Sequence, residues 1–400
     1  MGGDHNGGMA DRAVSPSRSL AILLSFAALA TAAALVVRNT SADARLAPVR
    51  PAVLNGAQRA AGAKPASASN DAHITITATG EILPHPSVVQ HARTFGRQSG
   101  VPYDFAALFA PIATVVQRAD LAICHLEVPV APAGTPLSGY PNFAIPPDIA
   151  IGIHRTGWDR CSTVSNHTND RGSAGIKATL DALDAAKVGH SGSARTAAES
   201  AKVPMVEVHG VKVAQLAYAW GFNGAPPAAP WMANVIDGDR ILADAHRAKA
   251  AGATIVVVSL HWGTEYDPNG SAQQRALAER LLASPDVDLI IGHGPHVLQP
   301  IVTYHHKYAL LSLGNIIANQ GKKRPSTYDG AVATITFTRA ADGTYRSSAP
   351  TVQATWYDSA SGRVWLVSAA LTDPQRAAIR SSLRASLART RSVLGAYVVG

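Results

Sequence analysis

Six apolar runs in this chain each stop on residues that can bind a metal or move a proton. They end on Glu81, on His125 and Glu127, on Asn166-His167, on His261, on His293 with His296, and on Asn315. A lone histidine at a strand end is more often a hydrogen-bonded structural residue than a ligand, and a lone Glu or Asn says less still. Six together say more, because the strands of one open sheet bring their carboxyl ends to a common edge, where ligands bind. The set mixes carboxylates, an amide and imidazoles and contains no thiolate. Such donors suit a divalent Mn, Fe or Zn ion, whereas an all-oxygen cage favours Mg or Ca and a cysteine set favours structural zinc. There are enough ligands for two ions with one bridging carboxylate, the arrangement that activates water and steadies a leaving oxygen in hydrolysis.

The elements that must position these groups are legible as alternating runs. Cys161–Ser165 reads as a short buried strand, Asn166–Asp170 as a polar loop, and Ile176, Leu180 and Leu183 as one face of a helix. In that loop Asn166 and His167 could both ligate, or one could ligate while the other donates a proton; the plain alternative is a loop that caps its own helix. His73–Thr79, Leu121–Cys124, Ile255–Leu260, Leu289–Ile291 and Leu310–Leu313 read as further strands, and Ala331–Phe337 and Thr351–Tyr357 as late ones. Met205–Val208 and Val211–Tyr218, joined at His209-Gly210, predict a hairpin. Tyr103–Arg118 carries the spacing of a single helix, as do Asp237–Ala250, Ser271–Leu282 and Pro374–Leu394. Trp220–Trp231 is an aromatic, Gly- and Pro-rich loop that reads as a substrate lid. No phosphate loop ending in Lys-Ser or Lys-Thr and no G-x-S-x-G elbow occurs, and the G-x-G at Gly292–Gly294 has Val297 at its third glycine position, so nucleotide-loop and serine-hydrolase chemistry are disfavoured.

The net charge of +8 is carried at the two ends of the 400 residues. Residues 1–70 hold seven basic against three acidic side chains and residues 360–400 hold six against one, so the middle is close to neutral. A nucleic-acid reader would carry its charge on a folded face; basic ends suit a membrane surface or an anionic polymer. Leu20–Val37 is uncharged and just long enough to span a bilayer, with Arg12 and Arg18 before it, and predicts an export signal or signal anchor over residues 1–38. Residues 39–70, rich in Ala, Pro and Ser, read as a linker. Residues 71–358 form the expected folded domain and 359–400 an extension with an Arg-rich helix. The two cysteines, Cys124 and Cys161, are by default small core residues, and would pair only if their strands were neighbours.

The motifs, in order, resemble the CapA/PgsA family of poly-γ-glutamate capsule biosynthesis proteins. The resemblance spans about residues 73–318 and rests on Gly80-Glu81, the run Ala119–Pro129, Ser165–Gly172, SLHWGTEY at Ser259–Tyr266, IGHGPHVLQP at Ile291–Pro300 and LSLGN at Leu311–Asn315. It implies an α/β fold of the calcineurin-like metallophosphatase type, a four-layer αββα sandwich with mixed sheets. By the same analogy Glu81, Glu127, Asn166, His261, His293 and His296 would be metal ligands and His167 a proton donor beside the substrate. His125, Ser165, Asp170, Trp262, Glu265 and Asn315 would line the substrate site or support the ligands. Three positions depart from the family pattern: Glu81 stands where Asp is usual, His125 where Asn is usual, and Ser165 where the first of two Asn is usual.

Two functions of different class follow. One is a metal-dependent hydrolase or transferase acting on a phosphoester or on an amide-linked acidic polymer. The other is a non-catalytic, membrane-tethered component of capsule polymer synthesis or export, alongside other capsule-synthesis proteins in the bacterial envelope. For the second, Ile379, Leu383 and Leu387 form a stripe flanked by Arg380, Arg384 and Arg391, which reads as a surface-binding helix or, more simply, as a packing helix with a solvated face.

Overall fold

The strand β1 (His73–Ile82) is the spine of the first of two sheets. In the computed structural model, residues 73–321 and 323–400 are described; the expected signal or anchor and the linker lie outside the described residues. The parallel strands β2 (Leu121–Leu126), β3 (Arg160–Ser162) and β4 (Gly189–Ser191) follow on one side of β1. The second sheet takes β5 (Met205–Val208), β6 (Val211–Ala219), β7 (Ile255–His261), β8 (Leu289–His293), β9 (Leu298–Tyr304) and β10 (Lys307–Leu313), in the order β5-β6-β7-β8-β10-β9. The chain then returns to the first sheet as β11 (Asn315–Ile317), which pairs with β1. The antiparallel β12 (Asp329–Arg339), β13 (Tyr345–Ser347), β14 (Thr351–Asp358) and β15 (Arg363–Leu366) complete that sheet. Both sheets are therefore mixed.

Three cores separate four layers. Ile76, Ile123, Val213, Val257, Ile291 and Leu310 meet between the sheets. Behind the first sheet, Leu126, Cys124 and Cys161 pack under helices α1 (Pro86–Ser99), α2 (Asp148–Thr156) and α3 (Gly172–Ala185), with Phe105, Phe109 and Trp158 filling the layer. Behind the second sheet, Val256, Val258 and Leu260 pack under α4 (Gly238–Ala250) and α5 (Ala272–Ala283). Successive residues of a strand face opposite sides, so β7 buries Val257 in one core and Val258 in another, and reads as a continuous apolar run. The fold is the expected αββα sandwich.

Some local expectations are met and others are corrected. Val208 and Val211 pair across the hairpin, and His209 and Gly210 both take positive φ, the two-residue turn that matches strand twist. The stretch Tyr103–Arg118 is not one helix. Pro111 cannot donate to an α-helical ladder, and the chain passes from Ala106–Phe109 through a 3-10 turn at Ala110–Ile112 to Ala113–Gln117. Register places Cys124 opposite Cys161, and the two form a disulfide. No helix among the described residues is long and apolar enough to cross a membrane. The C-terminal helix α6 (Val367–Thr372) and helix α7 (Arg380–Leu394) pack on the first sheet. Leu383 is buried with Ala354 and Val367, Ile379 and Leu387 lie alongside, and Arg389 grips Asp329 through Nη2 at 2.8 Å. The apolar stripe of α7 thus faces protein.

Candidate metal centre

The polar strand ends converge because register aligns them. Glu81 stands opposite His125 across β1 and β2, and opposite Asn315 across β1 and β11; His261 stands opposite His293 across β7 and β8. The first pairings belong to one sheet and the last to the other, so the site lies on the seam between the sheets at the carboxyl ends of their parallel strands. Gly80 permits this approach: a Cβ there would stand 2.2 Å from the Gly314 carbonyl oxygen.

At the centre, one donor atom each from Glu81, Glu127 and His296 lies within 4.8 Å of the others, and all three side chains are buried. Glu81 Oε1 accepts from the Gly294 N–H at 2.6 Å, and its other oxygen bonds His296 Nδ1. His296 Nε2 lies 3.8 Å from Glu127 Oε1. Gly294 takes φ +111, and a Cβ there would meet the Trp262 carbonyl oxygen at 2.6 Å, so only glycine brings this N–H to the carboxylate. His296 itself sits at φ +60, a left-handed conformation that a non-glycine residue holds only where its surroundings fix it. Asn315 supplies that fixing: its Nδ2 donates to the His296 carbonyl at 3.2 Å and the Thr327 carbonyl at 2.9 Å, and its Oδ1 lies 3.3 Å from His296 Nδ1.

A second group adjoins the first. The His125 and His293 rings stack at 4.2 Å, and His125 Nε2 pairs with His261 Nδ1 at 3.0 Å while Nδ1 meets Ser162 Oγ at 2.7 Å. Burial drives all three imidazoles well below their usual range, reinforced by their mutual proximity, so they are neutral and able to ligate. Burial alone would raise the Glu81 carboxyl, but His296, through charge and hydrogen bond, with His261 and His125 outweighs it and holds it at about 2. Burial likewise opposes charge on His296, and Glu81 and Glu127 overcome it, raising the imidazole to about 10. Glu127 goes the other way: burial pushes it well above the carboxylate range, His296 pulls against this, and Glu81 adds to it.

The donors test whether a cation fits. Both Glu127 carboxylate oxygens, both His293 ring nitrogens and Asn166 Oδ1 are buried without any hydrogen-bond partner. Buried polar atoms are nearly always paired, and these orphans carry lone pairs beside a carboxylate-imidazole pair. Such a set fits a divalent cation.

The remaining predicted residues fall into three places. His167 and Asp170 act together: His167 Nδ1 donates to Asp170 Oδ2 at 2.8 Å, and Asn223 Nδ2 reaches Nε2 at 3.4 Å. Ser165 Oγ donates to the Glu127 carbonyl at 2.5 Å and accepts from the His167 N–H at 2.9 Å, tying this loop to the ligand strand. Glu265 is exposed and lines, with His167 and His296, a cavity of about 430 Å3. The ring of Trp262 lies away from this cavity. It is buried in the core under α4 and α5, and its indole N–H donates to the Leu311 carbonyl at 2.9 Å.

The cavity also uses residues without a sequence signal. Phe143 packs edge-on against His167 at 4.9 Å and against His85 at 5.4 Å. His85 lies between two prolines rather than at a strand end, and burial holds its imidazole down at about 4. The segment read as a lid is pinned to the Asn166–Asp170 loop: Asn223 N–H donates to the Asn166 carbonyl at 2.8 Å and Asn169 Nδ2 to the Ala225 carbonyl at 2.9 Å.

The model of the bacterial capsule synthesis protein PGA_cap family matches residues 75–320, which include every ligand candidate named above. The chain belongs to this family. It is 26% identical over 289 residues to the capsule biosynthesis protein CapA of Bacillus anthracis, covering 69% of this chain and 66% of that one. It is 32% identical over 173 residues to the PGA biosynthesis protein CapA of Bacillus subtilis, covering 43% of this chain and 45% of the relative. The chain thus spans about half to two-thirds of these relatives. Among solved structures, the calcineurin-like phosphoesterase YfkN of Bacillus subtilis aligns over 80% of this chain and 97% of that chain, at 14% identity and a TM-score of 0.39.

Proposed function

We propose that this protein serves capsule-type, poly-γ-glutamate-like polymer synthesis or export in the bacterial envelope, and that it carries there a divalent-metal centre for hydrolysis or transfer. Membership of the family supports the process, and the buried disulfide supports an oxidising, extracytoplasmic compartment. The observation that carries the chemistry is Glu127, a buried carboxylate with two orphaned oxygens beside the Glu81–His296 pair.

Glu81, Glu127 and His296 would hold the ion, with His261, His293 and Asn166 as further ligands. When bound, a divalent ion supplies Lewis-acid polarisation and an activated water. The protein supplies the rest. Asp170 fixes the ring of His167 through Nδ1, which leaves Nε2 as the atom through which a proton would pass to or from a group bound in the cavity. Phe143 and His85 wall that proton path, and Glu265 stands at the accessible side for recognition of the substrate.

The deciding measurement is the metal content of the full chain beside a His261→Ala/His296→Ala variant, followed by turnover of phosphoesters and γ-glutamyl peptides. Bound divalent ion lost in the variant, with turnover lost alongside it, is the expected result. A folded wild type that takes up neither Mn nor Zn would refute the centre and leave the non-catalytic, polymer-binding reading in its place.

A further inference from the structure

A second cavity, of about 340 Å3, shares no lining residue with the first. Its floor is Arg160 of β3, whose residue is only 8% exposed. The guanidinium reaches across the inter-sheet layer, where Nε donates to Gln215 Oε1 at 3.1 Å and Nη2 to the His190 carbonyl at 3.1 Å. Nη1 lies over Gly189, the register partner of Arg160, where a Cβ would stand 2.6 Å from it. The glycine leaves the cation its place against the cavity wall.

A buried charge is ordinarily paired with an opposite one. The two hydrogen bonds of the Arg160 guanidinium go to neutral oxygens, of Gln215 and of the His190 carbonyl, and Asp159 beside it in the chain acts on it through charge. The acids of the same wall are turned to other partners: Asp184 to Arg195 at 2.7 Å and His190 at 3.1 Å, Glu199 to Arg195 Nε at 3.1 Å, and Asp244 to Arg247 at 2.9 Å and the Tyr218 hydroxyl at 2.8 Å. Lys202, exposed on the wall, forms no ion pair among the described residues. Burial draws the guanidinium down to about 10, against the pull of Asp159.

We propose that this cavity is an oxyanion site, in which the carboxylate or phosphate group of a small molecule seats against Arg160 with Lys202 beside it. The volume suits a metabolite rather than a bare ion, and a planar guanidinium is matched to oxyanions of both kinds.

Calorimetric titration of the full chain with inorganic phosphate, and separately with acetate, tests this at fixed ionic strength. The protein is first freed of metal over a chelating resin and titrated in buffer free of polycarboxylates, so the candidate metal centre takes no part. Saturable one-site binding is expected, weakened at least about tenfold in Arg160→Gln, the loss of a charged hydrogen-bond donor, and measurably in Lys202→Gln. The tighter of the two probes identifies the headgroup. Absence of saturable binding by either probe, or equal affinity in wild type and a folded Arg160→Gln, overturns the proposal. If Arg160→Gln does not fold, a phosphate-soaked wild-type crystal decides: oxyanion density against Nη1 upholds the site, and density only elsewhere overturns it.

Discussion

Replacing Glu127 by Gln separates a metal ligand from a structural carboxylate, because the two roles predict opposite results. Both Glu127 oxygens lack hydrogen-bond partners, and burial pushes the group well above the carboxylate range, toward its neutral form. Gln has nearly the same shape and is also neutral. Metal-free stability should therefore change by no more than about 1 kcal/mol, within the range of one neutral hydrogen bond. Metal affinity should fall by about 100-fold or more, about 2.7 kcal/mol, as a ligand is lost. At an ion concentration near 100 times the wild-type dissociation constant, binding stabilises wild type by about 2.7 kcal/mol. The same concentration stabilises the variant by only about 0.4 kcal/mol, since it now merely equals the dissociation constant. For a folded part of this size a metal-induced rise in melting temperature of about 4 °C would shrink to about 0.6 °C. Melting curves with EDTA and with added Mn or Zn give both numbers from one preparation. The reasoning fails if Glu127→Gln keeps the full metal-induced shift, or if the metal-free variant loses more than about 3 kcal/mol, the signature of a carboxylate with a protein partner.

The Glu81–His296 pair predicts a pH window for the metal-free protein. Glu81, held at about 2, contributes stability that is fully present above its ordinary 4.5 and lost as pH falls through 2. His296, raised to about 10, contributes stability fully present below 6.5 and lost as pH rises through 10. Denaturant midpoints should peak between these ordinary values, and a flat profile from pH 4 to 9 would count against the pair. Metal uptake at pH 7 should release protons from His296 and Glu127, so calorimetry in two buffers of different ionisation heat should report at least one proton per ion. His167→Ala should lower kcat by about 100-fold with metal content unchanged, and Asp170→Asn should lose part of that while shifting the pH-rate profile. Trp262→Ala should cost about 3–5 kcal/mol in chemical denaturation yet leave metal stoichiometry intact.

The strand ends were legible because a buried run that stops on His or Glu carries its signal locally, as at His261 and His293. The two-sheet sandwich was not: its strands are scattered along the chain, and only motif resemblance joined them in advance. Trp262 sits next to His261 in a motif, but adjacent residues face opposite sides as a strand ends, and its ring goes to the outer core. Pro111 was hidden inside helical spacing at Tyr103–Arg118, where periodicity registers apolar faces and not the missing N–H. Cys124 and Cys161 could be paired only once β2 and β3 were known to be neighbours. His85, Phe143 and Asn223 come from loops, whose places are set by tertiary contacts rather than by any period.

The seam location of the centre makes it a property of neither sheet. Glu81 and Glu127 come from chain before β4, whereas His261, His293 and His296 come from chain after β5. Cutting the backbone between Ser191 and Met205 would place Glu81, Glu127 and Asn166 on one fragment and His261, His293 and His296 on the other, each with half of these donors and with its own share of the inter-sheet core. Reassembly of the two pieces would then report on the ion itself: a divalent cation that bridges them should strengthen their association, and a chelator should part them.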